Sequence, residues 1–343
     1  MFFKEKERIS MNTNLFSLAQ KPAFNPANLD ELDGVEHYAL TPIEHDYAGR
    51  TPLIWNTLYQ KFGLETKMAM IIVDPKNVRE LVSSFRSDPK YIGGGAGVGF
   101  KDELPKILDE LDPLAEAVQS VNVIKKMSDG HLKGYNTDGL GYRESLLDIM
   151  NKQELVPEKI KVIMLGAGGT GNSIAFALAD CVQEIVILNR SLDKAIALAE
   201  KVNSFAGRSV CRAGGEDQIP QEVETADVVI NVSTKGATGS LEKYSSLAPA
   251  VLPDTEENIK VNLAQSEVVL QSMHERVIVS DIVLRNDDSP LLTMAKQKGI
   301  QTLDGLPMVL NQGVEAFWLI HGEELQARGI DKNQVREIVK SIV

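Results

Sequence analysis

Apolar residues from Val162 to Leu165 form a short unbroken run that stops at Gly166, the pattern of a strand buried on both faces. A small-residue apolar segment, Ile174 to Ala179, then predicts a helix, and Glu184 to Leu188 predicts a second strand. Past Arg190 the alternation continues, predicting helix 191–204, strand 209–213, a helix near 221, strands 227–231 and 276–284, and helix 291–299. Strands that alternate with helices in this way predict a parallel sheet covered by helices. Upstream, the pattern predicts a strand over 36–40, a breaker-rich loop over 41–52, and a helix opened by Pro52 that buries Leu53, Trp55, Leu58 and Phe62. A strand over 68–73 and a helix over 75–85 follow. Five glycines within 93–99 predict a complete break in regular structure, and so dense a cluster implies close backbone approach to another group. Leu104, Ile107, Leu108 and Leu111 predict an amphipathic helix, 114–118 a second one, and 122–126 with 132–135 a hairpin across Ser128-Asp129-Gly130. A long helix is expected over 142–150, an insertion with its own helix near 256–272, and a helical tail from Gly305 onward. Residues 1–34 are polar and aperiodic and are expected to form a loose arm.

Length and composition narrow the function classes. A chain of 343 residues predicts about two domains. Hydrophobic content of 43% and charged content of 24% are those of a soluble globular protein. The formal charge of −12 argues against a nucleic acid or an anionic membrane as partner, while a small anionic ligand feels only its own pocket. Cys181 and Cys211 read as free thiols in a reducing compartment, so a cytoplasmic location is expected. No metal-spaced Cys/His cluster, no run of about eighteen apolar residues and no apolar leader segment is visible, so neither a metal site nor a membrane anchor nor secretion is expected.

The candidate chemistry begins at the first parallel strand. Gly166, Gly168 and Gly171 stand at G-x-G-x-x-G spacing between strand and helix, with Ala167, Gly169 and Thr170 completing the loop. That context is the dinucleotide-binding arrangement, in which a pyrophosphate sits on the unpaired amides of a helix N-terminus. The second strand ends in Asn189-Arg190-Ser191, with Lys194 one helical turn on. An NAD site usually places an acid there, whereas a 2′-phosphate calls for cations. NADP(H) rather than NAD(H) is the cofactor expected.

Four separated motifs then agree on one family. Lys101 with Asp109-Glu110-Leu111-Asp112, Val121-Asn122 and Asn136-Thr137-Asp138-Gly139 resembles the substrate half of the shikimate/quinate dehydrogenases. Gly166–Gly171 with Asn189-Arg190-Ser191 resembles that family's NADP half. Asn231 to Gly236 resembles its N-A-T-x-x-G loop, and Asp304-Gly305-Leu306-Pro307-Met308 with Gln312 and Phe317 its closing helix. The resemblance covers roughly residues 36 to 340. It implies a two-domain α/β fold: a substrate domain from 35–137 with 306–343, after an arm of residues 1–34, and a Rossmann-type NADP-binding domain over 138–305. It implies reversible hydride transfer between NADP(H) and a cyclic hydroxy acid such as shikimate, quinate or an amino analogue, in the chorismate route to aromatic amino acids. Lys101 and Asp138 fall at the catalytic positions, a pair that can relay the alcohol proton and steady the alkoxide. Thr51, Asp46, Asn122 and Gln312 fall at substrate-binding positions, and Ser233, Ile282 and Gly305 join the cofactor-binding set. A homodimer is the assembly considered.

The chain also departs from the family pattern. Asp46 and Thr51 replace the paired serines that hold a substrate carboxylate, with Arg50 available as a bidentate partner. Gly95 to Lys101 replaces N-V-T-x-P-x-K, losing an Asn, a Thr and a Pro, and Leu284 stands where a Tyr is usual. Two alternatives stay open: a ligand-sensing homologue of the same fold without turnover, and another Rossmann enzyme of the amino-acid or methylene-tetrahydrofolate dehydrogenase kind.

Overall fold

The computed structural model describes residues 24–26, 32, 34–45, 51–97 and 99–342. Asp46, Arg50 and most of the expected arm lie outside the described residues.

The first half builds a seven-stranded mixed sheet. Its elements are β1 (Phe24–Pro26), β2 (His37–Ile43), α1 (Thr51–Phe62), β3 (Thr66–Val73), α2 (Val78–Ser87), β4 (Tyr91–Gly95), β5 (Glu110–Leu111), α3 (Pro113–Val118), β6 (Val123–Lys126) and β7 (Leu132–Tyr135). The strand order is β1-β3-β2-β4-β6-β7-β5. Alternation sorts β2: Tyr38 and Leu40 join the core under α2, while Ala39 faces the core with Trp55, Leu58 and Phe317.

Several expectations change here. Part of the expected loose arm, Phe24–Pro26, pairs antiparallel with β3 and covers an otherwise open sheet edge. The glycine-rich segment is not a break, because Gly93–Gly95 lie in β4. A Cβ on Gly94 would come 2.1 Å from the Leu40 carbonyl oxygen, so the close approach that the glycines signal is that of the neighbouring strand. The helix expected over Leu104–Leu111 is a single 3-10 turn, Leu104–Lys106, followed by β5. Pro105 disfavours helical backbone before it, Arg86 pins Asp109 at 2.9 Å, and Asp112 caps α3 by accepting from Ala115 N–H at 2.8 Å. Leu53 is 61% exposed, and α1 buries Ile54 and Tyr59 beside Trp55 and Leu58 instead. The hairpin pairs Val123 with Tyr135, as its alternation requires.

Helix α4 (Asp138–Lys152) leads to β8 (Lys161–Leu165), α5 (Gly169–Leu178), β9 (Glu184–Leu188), α6 (Leu192–Ala206), β10 (Cys211–Gly214), α7 (Ile219–Val223), β11 (Val228–Asn231), α8 (Glu256–Gln271), β12 (Ile278–Asp281), α9 (Pro290–Gln297) and β13 (Gln301–Leu303). These six strands are all parallel in the order β10-β9-β8-β11-β12-β13, the doubly wound arrangement of dinucleotide-binding sheets. The chain then closes with α10 (Leu306–Ala327) and α11 (Lys332–Ser341). Both faces of the sheet are buried, with Val162, Met164, Ile185 and Ile187 in one core and Ile163, Leu165, Val186 and Leu188 in the other. The strand expected over 276–284 is only four residues long, since the chain turns where Asp281 accepts from Val283 N–H at 3.0 Å. The insertion folds its helix, α8, against the second core through Val269 and Leu270.

Helix α4 is the wedge between the two halves. A Cβ on Gly139 would lie 2.0 Å from the Ser173 carbonyl oxygen of α5, and one on Gly141 would lie 2.5 Å from the Gln312 amide of α10. Two glycines on α4 therefore draw the cofactor-side helix and the C-terminal helix onto one axis whose first residue is Asp138.

Candidate active site

The Lys101 ammonium meets the Asp138 carboxylate, 37 positions along the chain, at Nζ–Oδ2 2.7 Å. Local structure aims both. Phe100 is fully buried, and the Lys101 carbonyl accepts from Val121 N–H at 2.8 Å, which ties the loop to the start of β6. Asp138 opens α4, where a carboxylate complements the helix dipole. The Lys101 side chain is 36% exposed and that of Asp138 is 8% exposed, so the pair reaches solvent from the lysine side.

Asn122 organises what surrounds them. Its Nδ2 donates to Asp138 Oδ1 at 2.9 Å, Thr137 Oγ1 at 3.0 Å and Gln312 Oε1 at 3.0 Å, while its Oδ1 accepts from Thr137 N–H at 2.8 Å. An amide nitrogen carries only two protons, so those three contacts share them and Asn122 clamps Asp138 beside Gln312. A cleft of about 780 Å³ between the halves collects Lys101, Asn122 and Gln312 with Thr41, Thr51, Trp55, Gly305 and the segment 283–289.

Across the cleft, the parallel sheet offers its strand ends. Gly168 and Gly169 are exposed, and a Cβ on Gly169 would meet nothing within 4 Å. The first turn of α5 has unpaired amides, and its cap Gly168 carries no side chain to satisfy them. Gly166 and Ser233 approach closely, since a Cβ on Gly166 would lie 3.0 Å from Ser233 N. This contact bridges β8 and β11, where the strand order reverses and such ligands cross. Gly305 sits against Ile282, whose carbonyl oxygen a Cβ there would approach to 2.7 Å. At the far end Asn189 Nδ2 donates to the Ser191 carbonyl at 2.9 Å. Arg190, Ser191 and Lys194 are exposed, and among the described residues neither cation forms a salt bridge. Arg190 borders a shallow pocket with Gly214 to Gln218. An exposed glycine cradle, a bare helix N-terminus and two unpaired cations fit a phosphorylated dinucleotide.

Two groups that the sequence reading did not single out complete the strand ends. Asp281 accepts from Asn231 Nδ2 at 3.0 Å and from Ser289 Oγ at 2.6 Å, and burial pushes its carboxyl up to about 6. Arg285 donates to the Gly236 carbonyl at 2.7 Å and pairs with Asp287 at 2.9 Å, stapling the 233–236 loop to the cleft wall. Neither residue type is periodic or clustered along the chain, so no sequence pattern marks them.

Known proteins resemble this chain in sequence and in fold. The sequence profile of a shikimate dehydrogenase substrate binding domain matches residues 41–124, and that of a shikimate/quinate 5-dehydrogenase matches residues 150–265. A shikimate dehydrogenase (NADP(+)) of Alkaliphilus metalliredigens is 30% identical over 287 residues, spanning 83% of this chain and 90% of that protein. The Methanosarcina acetivorans shikimate dehydrogenase (NADP(+)) is 30% identical over 294 residues, 85% of this chain and 94% of that one. Among solved structures, shikimate 5-dehydrogenase from Listeria monocytogenes, in complex with shikimate and NAD, superposes with a TM-score of 0.70 at 25% identity, covering 89% of this chain and 96% of that one. Quinate dehydrogenase from Corynebacterium glutamicum, in complex with NAD, shares the fold at a TM-score of 0.68 and 23% identity, over 90% of this chain and 99% of that one.

Proposed function

Because the chain belongs to the shikimate and quinate dehydrogenase family, we propose that it interconverts a cyclic hydroxy acid and its ketone with NADP(H). The single observation that carries this reading is the Lys101–Asp138 pair at 2.7 Å, whose lysine lines the cleft from the substrate side. The cofactor, when bound, supplies or takes the hydride. Lys101 donates a hydrogen bond to the reacting oxygen and stabilises it as charge develops, and Asp138 holds the ammonium in place. In the oxidising direction the pair takes up the hydroxyl proton; in the reducing direction it returns one. Asn122 keeps Asp138 and Gln312 in register, and Gln312 and Thr51 are polar groups available for ring hydroxyls or carboxylate. Asp46 belongs to this substrate end by its sequence position.

Gly166, Ala167, Gly168, Gly169, Thr170 and Gly171 take the pyrophosphate. Asn189, Arg190, Ser191 and Lys194 take the adenosine 2′-phosphate, and Ser233, Ile282 and Gly305 border the nicotinamide. The supporting features are the exposed cradle and the free cations described above. Residues 35–137 with 306–343 form the substrate domain and 138–305 the cofactor domain. Cys181 and Cys211 are both free thiols, in keeping with the reducing cytoplasm. Among the described residues no helix is long and apolar enough to cross a membrane.

The test is a panel of shikimate, quinate and amino analogues assayed for NADPH formation. Turnover of at least one is expected; binding by calorimetry without turnover of any would instead support the ligand-sensing homologue. Cofactor choice is tested separately. Arg190→Ala is expected to raise the KM for NADPH tenfold or more, roughly the worth of one charge-assisted hydrogen bond. NADH, which lacks the extra phosphate, should change by less than about twofold. An equal loss for both cofactors removes the 2′-phosphate role.

A further inference from the structure

A cyclic acid held at Lys101 must also be gripped elsewhere in the cleft, and among the described residues that line it Gly95, Ala96 and Gly97 offer no polar side chain. Among the described residues the cations that line the cleft are committed, Lys101 to Asp138 and Arg285 to Asp287 and the Gly236 carbonyl. Hydroxyls remain, on Thr41, Thr51, Thr137 and Ser289. Thr137 spends its proton on the Gln312 carbonyl at 3.2 Å, and Ser289 spends its proton on Asp281. Among the described residues Thr51, half-buried at the start of α1, and Thr41 keep theirs, and Thr41 is the buried one. It lies on β2, on the face it shares with Ala39, is 4% exposed and lines the cleft. Its Oγ1 accepts from Gly95 N–H at 3.1 Å, and among the described residues nothing accepts its own proton.

Position 95 matters because a Cβ there would lie 2.7 Å from Thr41 Oγ1 and 3.3 Å from its Cγ2. Thr41 thus fills the volume that a side chain at 95 would enter, and it is at 95 and 97 that this chain carries glycine in place of the family's Asn and Thr. A hydroxyl on a residue only 4% exposed, with its proton unused, costs free energy unless water or a ligand in the cleft accepts that proton. We infer that Thr41 is a specificity-determining residue whose hydroxyl donates to an oxygen of the bound cyclic acid, in the space that the side chains absent at 95 and 97 leave free. The inference rests on the dehydrogenase reading above.

The experiment is steady-state kinetics with whichever cyclic acid the wild type turns over. Thr41→Val keeps the shape and deletes the hydroxyl; it should raise the KM for the acid about tenfold, with kcat within about twofold and the KM for NADP unchanged. Thr41→Ser, which restores donor and acceptor, should recover most of the affinity. Gly95→Ala crowds the same hydroxyl and should raise the same KM, which carries the test should Thr41→Val fail to fold. An unchanged acid KM in Thr41→Val, or in Gly95→Ala where that variant is decisive, overturns the inference while the dehydrogenase reading stands. Equal rises in the KM for acid and for NADP would make Thr41 merely structural and also overturn it. A wild type inert toward every cyclic acid overturns both.

Discussion

Lys101→Ala and Asp138→Asn are each expected to lower kcat by about 10³-fold, the middle of the range that a positioned proton-transfer group supplies. The expectation follows from the pair's geometry. One Asp138 oxygen is taken by Lys101 at 2.7 Å and the other by Asn122 at 2.9 Å, so no second donor stands ready to replace the ammonium. Asp138→Asn is nearly isosteric yet removes the charge that holds Lys101 toward the cleft. Asp138→Asn should cost little stability, because the amide keeps an oxygen for Asn122, whereas Lys101→Ala strips the cation from a carboxylate only 8% exposed and should lower the melting temperature somewhat. Initial rates of NADPH formation, with thermal melts alongside, make the comparison. Full-rate mutants with unchanged melting would leave the site without its chemistry.

Gly139→Ala is expected to destabilise the fold by about 3 kcal/mol, at the upper end for overpacking, because its Cβ would meet the Ser173 carbonyl oxygen at 2.0 Å and the Ala177 Cβ at 2.9 Å. Ser173 is backbone inside α5, so relief requires the two helices to separate. The same separation would carry Asp138, the adjacent residue, away from the cofactor side, and kcat should fall together with stability. Gly169→Ala, where a Cβ meets nothing within 4 Å, should leave the urea midpoint unmoved and serves as the contrast. A Gly139→Ala midpoint indistinguishable from wild type would mean that the wedge yields, and that α4 does not set the distance between the halves.

The cofactor half was legible because its signals are local. A buried parallel strand needs an unbroken apolar run, and the turn onto α5 needs glycines at fixed offsets, so β8, α5 and β9 can be read from about thirty consecutive residues. The helix wrongly expected at Leu104 to Leu111 shows the limit of that method. Its apolar spacing suits a helix, but the same four leucine and isoleucine residues reach their core from a 3-10 turn, the bend after it and a short strand. Pro105 and the capping of α3 by Asp112 outweighed the periodicity. The glycines of β4 carried a true message, close approach, without naming the partner, since only the sheet order reveals that Leu40 lies beside them.

From composition, spacing and family resemblance alone came the doubly wound cofactor unit, the cation-bearing strand end and the identity of Lys101 and Asp138 as partners. Tertiary structure alone decided that Asn122 reaches Gln312, 190 positions away, and clamps Asp138 beside it, that α4 is wedged by its two glycines, and that Thr41 stands where a residue at 95 would otherwise project. The physical reason is range. Hydrophobic period, turn chemistry and helix capping act over a few residues and leave their mark in order along the chain, whereas a hydrogen-bond network or a steric exclusion depends on which strands and helices become neighbours, which only the folded packing determines.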